Sequence, residues 1–373
     1  MASWRAFAGC AVAFLYACGG GSGARSVDAA GAGADAGPDA ALAIDASCAT
    51  GWTQDADDPV IAFRAWGGAV WNDPWVIKDG ATYRMWLSNG AGSVGVSIYE
   101  ATSSDGASWT LTSAVGSPEL APGPSAFDQV SVETPSVVKL GATYHMFWTA
   151  VPDSDPTHYT VGHATSPDGV TWVKDAQPAI DRPSDPTQYG GLGVAEPAAV
   201  VFDNTIYLYY AAVRCRNGVT SSGCAGPSPV VERAIALATS SDGVTFTPEP
   251  APVLLQSASY PAADGYEGYS TPAALARGGG IELYYDVVHE EPTFRQVALA
   301  YATSSDGLAF SEAEPAIVER DPQGWTAYEV RAPTAVDEGD HVSLWFAGNN
   351  GNDPSAAGFE IGIGHARSPA GCP

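Results

Sequence analysis

Apolar and polar positions alternate along five short aromatic segments spaced through the chain. The segments are residues 83–87, 144–148, 206–210, 281–285 and 342–346. Alternation with a period of two is typical of β-strands that bury one face. A proline followed by a short apolar run precedes each segment, at Pro74, Pro135, Pro197, Pro272 and Pro333. The pattern therefore predicts pairs of strands at five places along the chain.

A further strand is predicted after each aromatic segment, because a nine-residue string recurs there. The string Ala-Thr-Ser-Ser-Asp-Gly-Ala-Ser-Trp at 101–109 returns with few changes at 164–172, 238–246 and 302–310, and a partial copy lies at 366–371. An Asp-Gly step between apolar runs is a strong hairpin signal, since glycine accepts positive φ. Each repeat therefore predicts four antiparallel strands, opened by the proline, with the Asp-Gly turn between the third and the fourth.

Five repeats of four strands predict an all-β protein, a five-bladed β-propeller with antiparallel blades. The fifth repeat lacks its last strand. Residues 49–61 match the segment 107–120 that ends the first repeat. We therefore expect the N-terminal strand to complete the fifth blade and close the ring.

Composition supports a folded domain and argues against two classes of binding partner. Apolar residues make up 45% of the chain, and 42 Gly, 28 Pro, 11 Trp, 16 Tyr and 11 Phe fit short strands joined by tight turns. The 42 acidic against 16 basic residues give a formal charge of -26. Such acidity argues against nucleic acid as a partner, because phosphates need a basic face. It also disfavours electrostatic docking onto anionic lipid.

The first 18 residues predict export. Arg5 precedes an apolar run over residues 6–16 that is too short to span a membrane as a helix. The ending Leu15-Tyr16-Ala17-Cys18 resembles the lipobox of bacterial lipoproteins, which implies cleavage before Cys18 and lipidation of that cysteine. A plain secretory signal is the alternative. The lipoprotein resemblance implies outer-membrane sorting in a Gram-negative host, because Gly19 rather than Asp follows the cysteine.

Residues 19–47 are almost wholly Gly, Ala, Asp and Ser. They predict a disordered tether, because they cannot bury enough apolar surface to offset their ordering entropy. The folded domain is then residues 48–373, and its four cysteines allow three disulfide pairings. Closure of the ring places Cys48 beside Cys372, which leaves Cys215 and Cys224 to close the insertion in the third repeat. Export permits both bonds.

Candidate chemistry lies at the blade openings, because the inner strands of a propeller surround a central funnel. The polar residues just before the five prolines, or slightly upstream, include Asn72, Asp73, Glu133, Glu196, Glu267, Ser270, Glu329 and Arg331. Hydrolysis of a glycosidic bond needs two carboxyl groups, one protonated and one ionised. A poorly solvated set of carboxylates can separate its pKa values in that sense. Structural roles in turns and between blades are the alternative for each single carboxylate.

The five blades, the Asn72-Asp73-Pro74 opening and the Asp-Gly turns resemble the five-bladed glycoside hydrolases: the invertase-like family 32 and the arabinanase- and xylosidase-like family 43. The resemblance covers residues 48–373. It implies that Asp73 is the general base or nucleophile. It also implies that Glu196 orients the substrate and tunes pKa values, although the families usually have Asp there. Their general acid is a glutamate two places before the fourth proline, where this chain has Ser270. Glu267 or Glu133 could substitute for it.

Several other side chains near the openings are candidates for binding the substrate. They are Trp71, Asn72, Trp75, Tyr189, Tyr266, Tyr269, Tyr328, Glu329 and Arg331. The aromatic rings could stack on sugar faces, although propellers also bury such rings as packing. We expect no cofactor, and the resemblance to family 43 implies at most a calcium ion in the channel. His163 and His365, at equivalent third-strand positions, are expected to be core histidines.

The sequence therefore predicts an exported, lipid-anchored and monomeric propeller that hydrolyses glycosidic bonds in oligo- or polysaccharides. Two alternatives stay open: a non-catalytic glycan-binding propeller that has lost the general acid, and a protein-interaction scaffold. Carboxylates that converge on one funnel would favour the enzyme.

Overall fold

The computed structural model describes residues 50–372, apart from 68–69, 91–94, 153–157, 221–222, 227–229, 259, 262–263, 291–293 and 354. The described residues are almost entirely strands and turns. Helical segments among them are short 3₁₀ turns such as Ala65–Gly67 and Ala126–Asp128. The predicted all-β class is confirmed.

The strands follow one another in groups of four, which we call units. A short strand β1 (Thr53–Gln54) precedes unit 1, which comprises β2 (Trp71–Asp79), β3 (Thr82–Asn89), β4 (Ser97–Ser103) and β5 (Thr110–Leu111). Unit 2 comprises β6 (Ser131–Leu140), β7 (Thr143–Val151), β8 (Thr160–Ser166) and β9 (Val173–Lys174). Unit 3 comprises β10 (Gly193–Phe202), β11 (Thr205–Cys215), an inserted hairpin of β12 (Val219–Thr220) and β13 (Gly223–Cys224), then β14 (Val231–Ser240) and β15 (Thr247–Pro248). Unit 4 comprises β16 (Tyr266–Arg277), β17 (Gly280–His289), β18 (Arg295–Ser304) and β19 (Ser311–Glu319), and unit 5 comprises β20 (Glu329–Asp337), β21 (Val342–Asn349), β22 (Ile361–Arg367) and β1.

Neighbouring strands pair antiparallel within each unit, so the predicted four-stranded antiparallel sheets are confirmed. Units 3 and 4 are joined by a parallel pair, Arg233 opposite Gly268. In unit 5, Thr53 of β1 lies opposite Arg367 of β22. Ile61 also forms a bridge with β22. An N-terminal segment therefore supplies the outermost strand of the sheet that ends the chain.

The repeated Asp-Gly turns lie between the third and fourth strands of units 1–4, as predicted. In unit 1, the carboxylate of Asp105 accepts hydrogen bonds from the N–H groups of Ala107 (2.9 Å) and Ser108 (2.7 Å). These bonds stabilise the ionised form and lower the pKa of Asp105 to about 2. Gly106 adopts a φ of 76°, which glycine accepts without strain. The acidic residues of these turns are structural.

Each turn also contacts the unit before it. A side chain from the second strand of one unit donates a hydrogen bond to the glycine carbonyl of the next turn. Three such bonds are Arg84 to Gly169 (2.9 Å), Tyr209 to Gly307 (2.8 Å) and Trp345 to Gly106 (2.8 Å). The same contact therefore joins unit 1 to unit 2, unit 3 to unit 4, and unit 5 to unit 1.

Every first strand contains a β-bulge at its proline, where its register against the second strand shifts. The residue before the proline has a φ between 41° and 56° in all five units: Asp73, Thr134, Glu196, Thr271 and Ala332. A following proline normally keeps such a residue extended, so the surrounding sheets impose this conformation. The prolines lie inside the first strands, which corrects the expectation that they open each repeat.

Two features of the core match the sequence analysis. Cys215 and Cys224 form the predicted disulfide, which spans the β12–β13 hairpin. His163 and His365 are buried, and burial lowers the pKa of both below the ordinary value. Each Nδ1 lies beside a carboxylate, at 2.8 Å from Asp175 and 2.7 Å from Asp55 respectively. They are core histidines, as expected.

The other predictions about cysteines involve Cys18 and Cys48, which the structure does not describe. Cys372 is disulfide-bonded, but Cys48 lies outside the described residues, so the pairing of these two stays a prediction. The signal with Cys18 and the tether over 19–47 also lie outside them. Within the described part of the chain, no helix is long and apolar enough to cross a membrane.

Candidate active site

The bulges bring polar side chains from four units into one buried group. We call Asp73, Glu196, Ser270, Asp286 and Arg331 the bulge cluster. Each of these side chains is at most 6% exposed. Buried charges at this density need partners, so their contacts determine which of them carry charge.

Asp73 lies between a cation and two hydrogen-bond donors. Its Oδ1 is 3.6 Å from Nη1 of Arg331, and the Ser88 hydroxyl and the Thr134 N–H also favour its ionised form and lower its pKa. Burial outweighs these contacts and, with the negative charge of Glu196, raises the pKa of Asp73 to about 6. Asp73 is therefore ionised at neutral pH but accepts a proton readily, which suits a general base.

Glu196 joins unit 3 to unit 4. Its carboxylate accepts hydrogen bonds from the Ser270 hydroxyl and from the Thr271 N–H, the latter at 2.9 Å. Its own N–H donates to the Thr149 hydroxyl at 2.7 Å. Ser270 occupies the place of the general acid in the families that the sequence resembles, and here it holds Glu196 in position.

Asp286 is a member of the cluster that sequence reasoning missed. It lies on β17 directly opposite Ser270 and has no exposed surface. Burial, and next the charge of Glu196, raise its pKa to about 7. Its Oδ2 accepts hydrogen bonds from Gln296 (3.1 Å) and from the N–H of Ala332 (3.3 Å). Its Oδ1 has no hydrogen-bond partner among the described residues.

A signal for Asp286 was present in the repeats. Ser88 and Thr149 occupy the equivalent position of their own second strands. Each accepts a hydrogen bond from the N–H of the bulge residue in the next unit, Thr134 (3.0 Å) and Glu196 (2.7 Å) respectively. Asp286 does the same for Ala332. Alignment of the second strands would have identified it as an acidic residue at an inter-unit contact.

Glu329 extends the cluster on the unit 5 side. Its Oε2 lies 3.7 Å from Nε of Arg331. Burial raises its pKa, and Arg331 together with hydrogen bonds from Asn349 and Gln296 opposes that rise. Arg331 therefore stands between two carboxylates, Asp73 and Glu329.

Glu267 lies in a separate set of contacts. Its Oε2 is 3.0 Å from Nε of Arg233, and both side chains are buried. Burial raises its pKa to about 8, with Arg233 opposing and Glu290 adding to the rise. It lines a cavity of about 290 Å³ together with Tyr189. Burial thus favours the protonated form of Glu267 and the adjacent Arg233 favours the ionised form. The carboxyl group faces Arg233, and no ion pair or hydrogen bond joins it to the bulge cluster among the described residues.

Glu133 lies on β6 opposite Thr149 and is 3% exposed. It directly precedes Thr134, whose N–H donates to the hydroxyl of Ser88 in unit 1. Glu133 therefore lies on β6, the first strand next to β2, which carries Asp73. Asn72 directly precedes Asp73 on β2. It is buried, and its Oδ1 has no hydrogen-bond partner among the described residues.

The aromatic candidates divide by exposure. Trp71 and Tyr269 have no exposed surface, and Trp75 is almost as buried, with its ring N–H bonded to the carbonyl of Val137 at 2.8 Å. These rings pack in the core and offer no face to a ligand. Tyr189 and Tyr266 are partly exposed. Stacking on sugar stays a prediction for those two.

The calcium ion that the family resemblance implies would need several oxygen ligands around one cavity. A cavity of about 320 Å³ runs between the first strands and is lined mainly by apolar side chains, with Asp79 and Asp337 beside Lys78 and Lys139. No group of three or more His, Cys, Asp or Glu within the described ranges is placed to hold a metal ion. The described residues that line this cavity therefore do not fit calcium.

Comparison with solved structures places this fold among glycoside hydrolases. A protein solved as an RGII complex aligns with a TM-score of 0.62 at 16% identity, over 80% of this chain and 87% of its own. A thermostable family-43 glycoside hydrolase aligns with a TM-score of 0.57 at 13% identity, over 81% and 94%. A glycosyl hydrolase from Bacteroides ovatus aligns with a TM-score of 0.59 at 14% identity, over 87% and 97%.

Neither a protein-family model nor a curated protein matches the sequence. At identities this low the structural likeness establishes the fold. The chain has the fold of the propeller-type glycoside hydrolases related to families 32, 43 and 130, as its motifs indicated.

Proposed function

We propose that the five units form a five-bladed propeller closed by β1. The first strands contact one another in the cyclic order β2, β6, β10, β16, β20 and back to β2. Residues from all five line the cavity of about 320 Å³. The bond from Trp345 to Gly106 repeats, between the last and first units, the bond found between other neighbours. These observations support a ring with the bulge cluster at one mouth of its channel.

At that mouth the chain hydrolyses glycosidic bonds in an oligo- or polysaccharide. The observation that carries this proposal is the convergence of three carboxyl groups. Glu196 interacts electrostatically with both Asp73 and Asp286, and burial holds their pKa values at about 6 and about 7. Such a set keeps ionised and protonated carboxyl groups together at neutral pH, as glycoside hydrolysis requires. The structural neighbour solved as an RGII complex supports a carbohydrate as the ligand.

The roles follow from the contacts. Asp73 is the base or nucleophile, because it is ionised at neutral pH beside Arg331. Glu196 is fixed by unit 4, so it orients the substrate and raises the pKa of its neighbours. Ser270 has no carboxyl group, so the acid is Glu133, on the strand next to that of Asp73, or Glu267, whose side chain would first have to leave Arg233. Asp286 has no exposed surface and is assigned to tuning the pKa of the cluster.

Kinetics on two kinds of substrate test these roles. Asp73→Asn is expected to lower turnover about 10²–10⁴-fold, while Asp57→Asn, at an exposed carboxylate, serves as the matched control. Removal of the acid, by Glu133→Gln or Glu267→Gln, is expected to abolish turnover of natural glycans. The same variant retains turnover of dinitrophenyl glycosides, whose leaving group needs no proton. Full turnover by Asp73→Asn on either substrate would contradict the assignment.

A non-catalytic, glycan-binding propeller is the second candidate, and Ser270 favours it. The residue at the place of the family acid donates a hydrogen bond to Glu196 and supplies no proton to a leaving group. Glycan binding by the wild type and by Asp73→Asn, with no turnover by either on aryl glycosides or polysaccharides, would select this function. A protein-interaction scaffold would bind no glycan.

Export and lipid anchoring at Cys18 complete the proposal. The lipobox-like ending and the tether support them. Metabolic labelling with a palmitate analogue in a bacterial host is expected to mark the wild type and not Cys18→Ala. Equal labelling of both, or release of the wild type into the medium, would contradict the anchor.

A further inference from the structure

Two arginines lie together beside the bulge cluster without an ion-pair partner among the described residues. Arg295 begins β18 and Arg320 directly follows β19. Burial, and next the positive charge of Arg295, lower the pKa of Arg320 below its ordinary value. Within the described ranges, neither guanidinium has a carboxylate oxygen within 4.0 Å. This placement is unusual in a chain with 42 acidic and 16 basic residues, where carboxylates are abundant.

The hydrogen bonds of the pair are also incomplete. Nη1 of Arg320 donates to the carbonyl of Tyr328 at 3.2 Å. The guanidinium of Arg295 lies over the ring of Tyr328, 5.6 Å from its centre. Nε of Arg295 is buried, and no described residue accepts a hydrogen bond from it. A buried donor without an acceptor is costly, so it marks a place where an acceptor from a ligand would be stabilised.

Glu329 is the carboxylate that interacts with Arg295 and Arg320, and it does not neutralise both of them. Glu329 interacts electrostatically with Arg295 and Arg320, but its Oε2 already lies 3.7 Å from Nε of Arg331. Its pKa is raised by burial, which weakens it as a counter-ion. Arg331 is shared by Asp73 and Glu329, so Glu329 is not available to Arg295 and Arg320 alone. The pair therefore carries a positive charge that the carboxylate of a ligand would balance.

We infer that Arg295 and Arg320 bind the carboxylate of a uronic acid residue in the glycan held at the bulge cluster. This inference rests on the proposed function and names its substrate class. A carboxylate matches the planar fork of arginine donors, which favours it over a neutral hydroxyl group. Tyr328 lies beside the pair and is partly exposed, so a sugar bound there would contact it. Arg331 links the subsite to Asp73.

Calorimetry on the purified full-length protein tests this subsite. The probes are oligogalacturonate and oligoglucuronate, each paired with its carboxyl-reduced counterpart. We expect acidic probes to bind about ten-fold or more tightly than the reduced ones. The preference should weaken as salt is raised, because part of it is an exposed charge interaction. Equal affinity for acidic and reduced probes, or no binding of either acidic probe, would overturn the inference.

Variants assign the preference to the pair. Arg295→Gln and Arg320→Gln are each expected to lower affinity for the acidic probe by a larger factor than affinity for the reduced probe, because the bond to a charged group is the stronger one. Arg320→Lys keeps the charge but lacks the planar fork, so it should lose part of the preference. Arg367→Gln, an exposed arginine on β22, is the control. A preference that persists in both Gln variants would overturn the inference, and unfolding midpoints would confirm that these variants are folded.

The two kinds of measurement separate the subsite from the proposed function. Selective binding of uronic acids without turnover by the wild type would keep the subsite and contradict hydrolysis. Turnover of neutral glycans without any acidic preference would keep hydrolysis and contradict the subsite.

Discussion

Asp286 occupies a position that holds a small hydroxyl side chain in two other units. Ser88 and Thr149 satisfy the N–H of the next bulge with a single oxygen. A carboxylate does this with one oxygen and leaves the other, Oδ1, unbonded among the described residues. The extra oxygen and its negative charge give no structural advantage over a hydroxyl group in a buried site. We therefore connect Asp286 with the electrostatics of Asp73 and Glu196.

The pH dependence of stability tests whether Asp286 titrates as its surroundings require. Its folded pKa of about 7 lies above the ordinary value of 3.8, so the native state binds the proton more tightly than the unfolded state. Stability is therefore lost as pH rises from about 4 to about 7. Asp286→Asn removes this loss, so the unfolding free energy of the variant, minus that of the wild type, should increase by on the order of 1 kcal/mol per pH unit in this window.

The difference between the two proteins removes the contribution of titrating groups that do not interact with Asp286. Burial lowers the pKa of His145 to about 4 and raises that of Asp58 to about 7. Both affect the wild type and the variant equally. Urea unfolding between pH 4.5 and 8 measures the difference. A difference that stays constant with pH would show that Asp286 is ionised throughout.

The sequence predicted members of the cluster correctly where a repeated motif fixed their position in the strand. Asp73 and Glu196 were found because each directly precedes a repeated proline, and the structure brings them into one cluster with Arg331. Glu267 was chosen by proximity in the chain, and its side chain faces Arg233. The direction in which a side chain of a bulged strand points cannot be predicted from its sequence distance to the proline, because the bulge interrupts the alternation of faces.

At the scale of elements, the Asp-Gly turns were predictable and the bulges were not. A turn between adjacent strands depends on local chemistry, and Asp105 with Gly106 supplies both the acceptor and the positive φ. A positive φ before proline is locally unfavourable. It arises only where neighbouring units hold the strand, as at Thr134 and Ala332. The bulges therefore depend on contacts between units that lie far apart in the sequence.

Replacement of a turn carboxylate should cost stability and leave the site unchanged. Asp105→Ala removes the acceptor of two backbone N–H groups. We expect a lower thermal midpoint than for Asp57→Ala, where the side chain is exposed in a turn. Glycan binding by Asp105→Ala should equal that of the wild type below its midpoint. An unchanged midpoint would indicate that solvent replaces the bonds, and the turn would then not be a stabilising corner.

At the scale of the whole molecule, charge is distributed unevenly. The acidic excess in the composition argues against nucleic acid as a partner. Composition could not reveal that Arg295, Arg320 and Arg331 lie together beside one mouth of the proposed channel. Their positions at the ends of different strands bring them together only when units 4 and 5 are adjacent. The substrate class is therefore a property of the folded molecule.

Disulfide mapping tests closure of the ring. If β1 completes unit 5, Cys48 precedes a strand that pairs with β22 and lies near Cys372. Peptide mapping without reduction is expected to yield one linked pair from Cys48 and Cys372 and another from Cys215 and Cys224. A link between Cys48 and either Cys215 or Cys224 would contradict the closure.

The central claim is that a glycan binds at the bulge cluster. The most direct test is a crystal structure of the full-length protein carrying Asp73→Asn, grown with the oligosaccharide that binds most tightly in calorimetry. The account predicts a sugar ring within hydrogen-bond distance of position 73, Glu196 and Arg331. A sugar bound instead at the opposite mouth of the channel, beside Lys78 and Lys139, would contradict it.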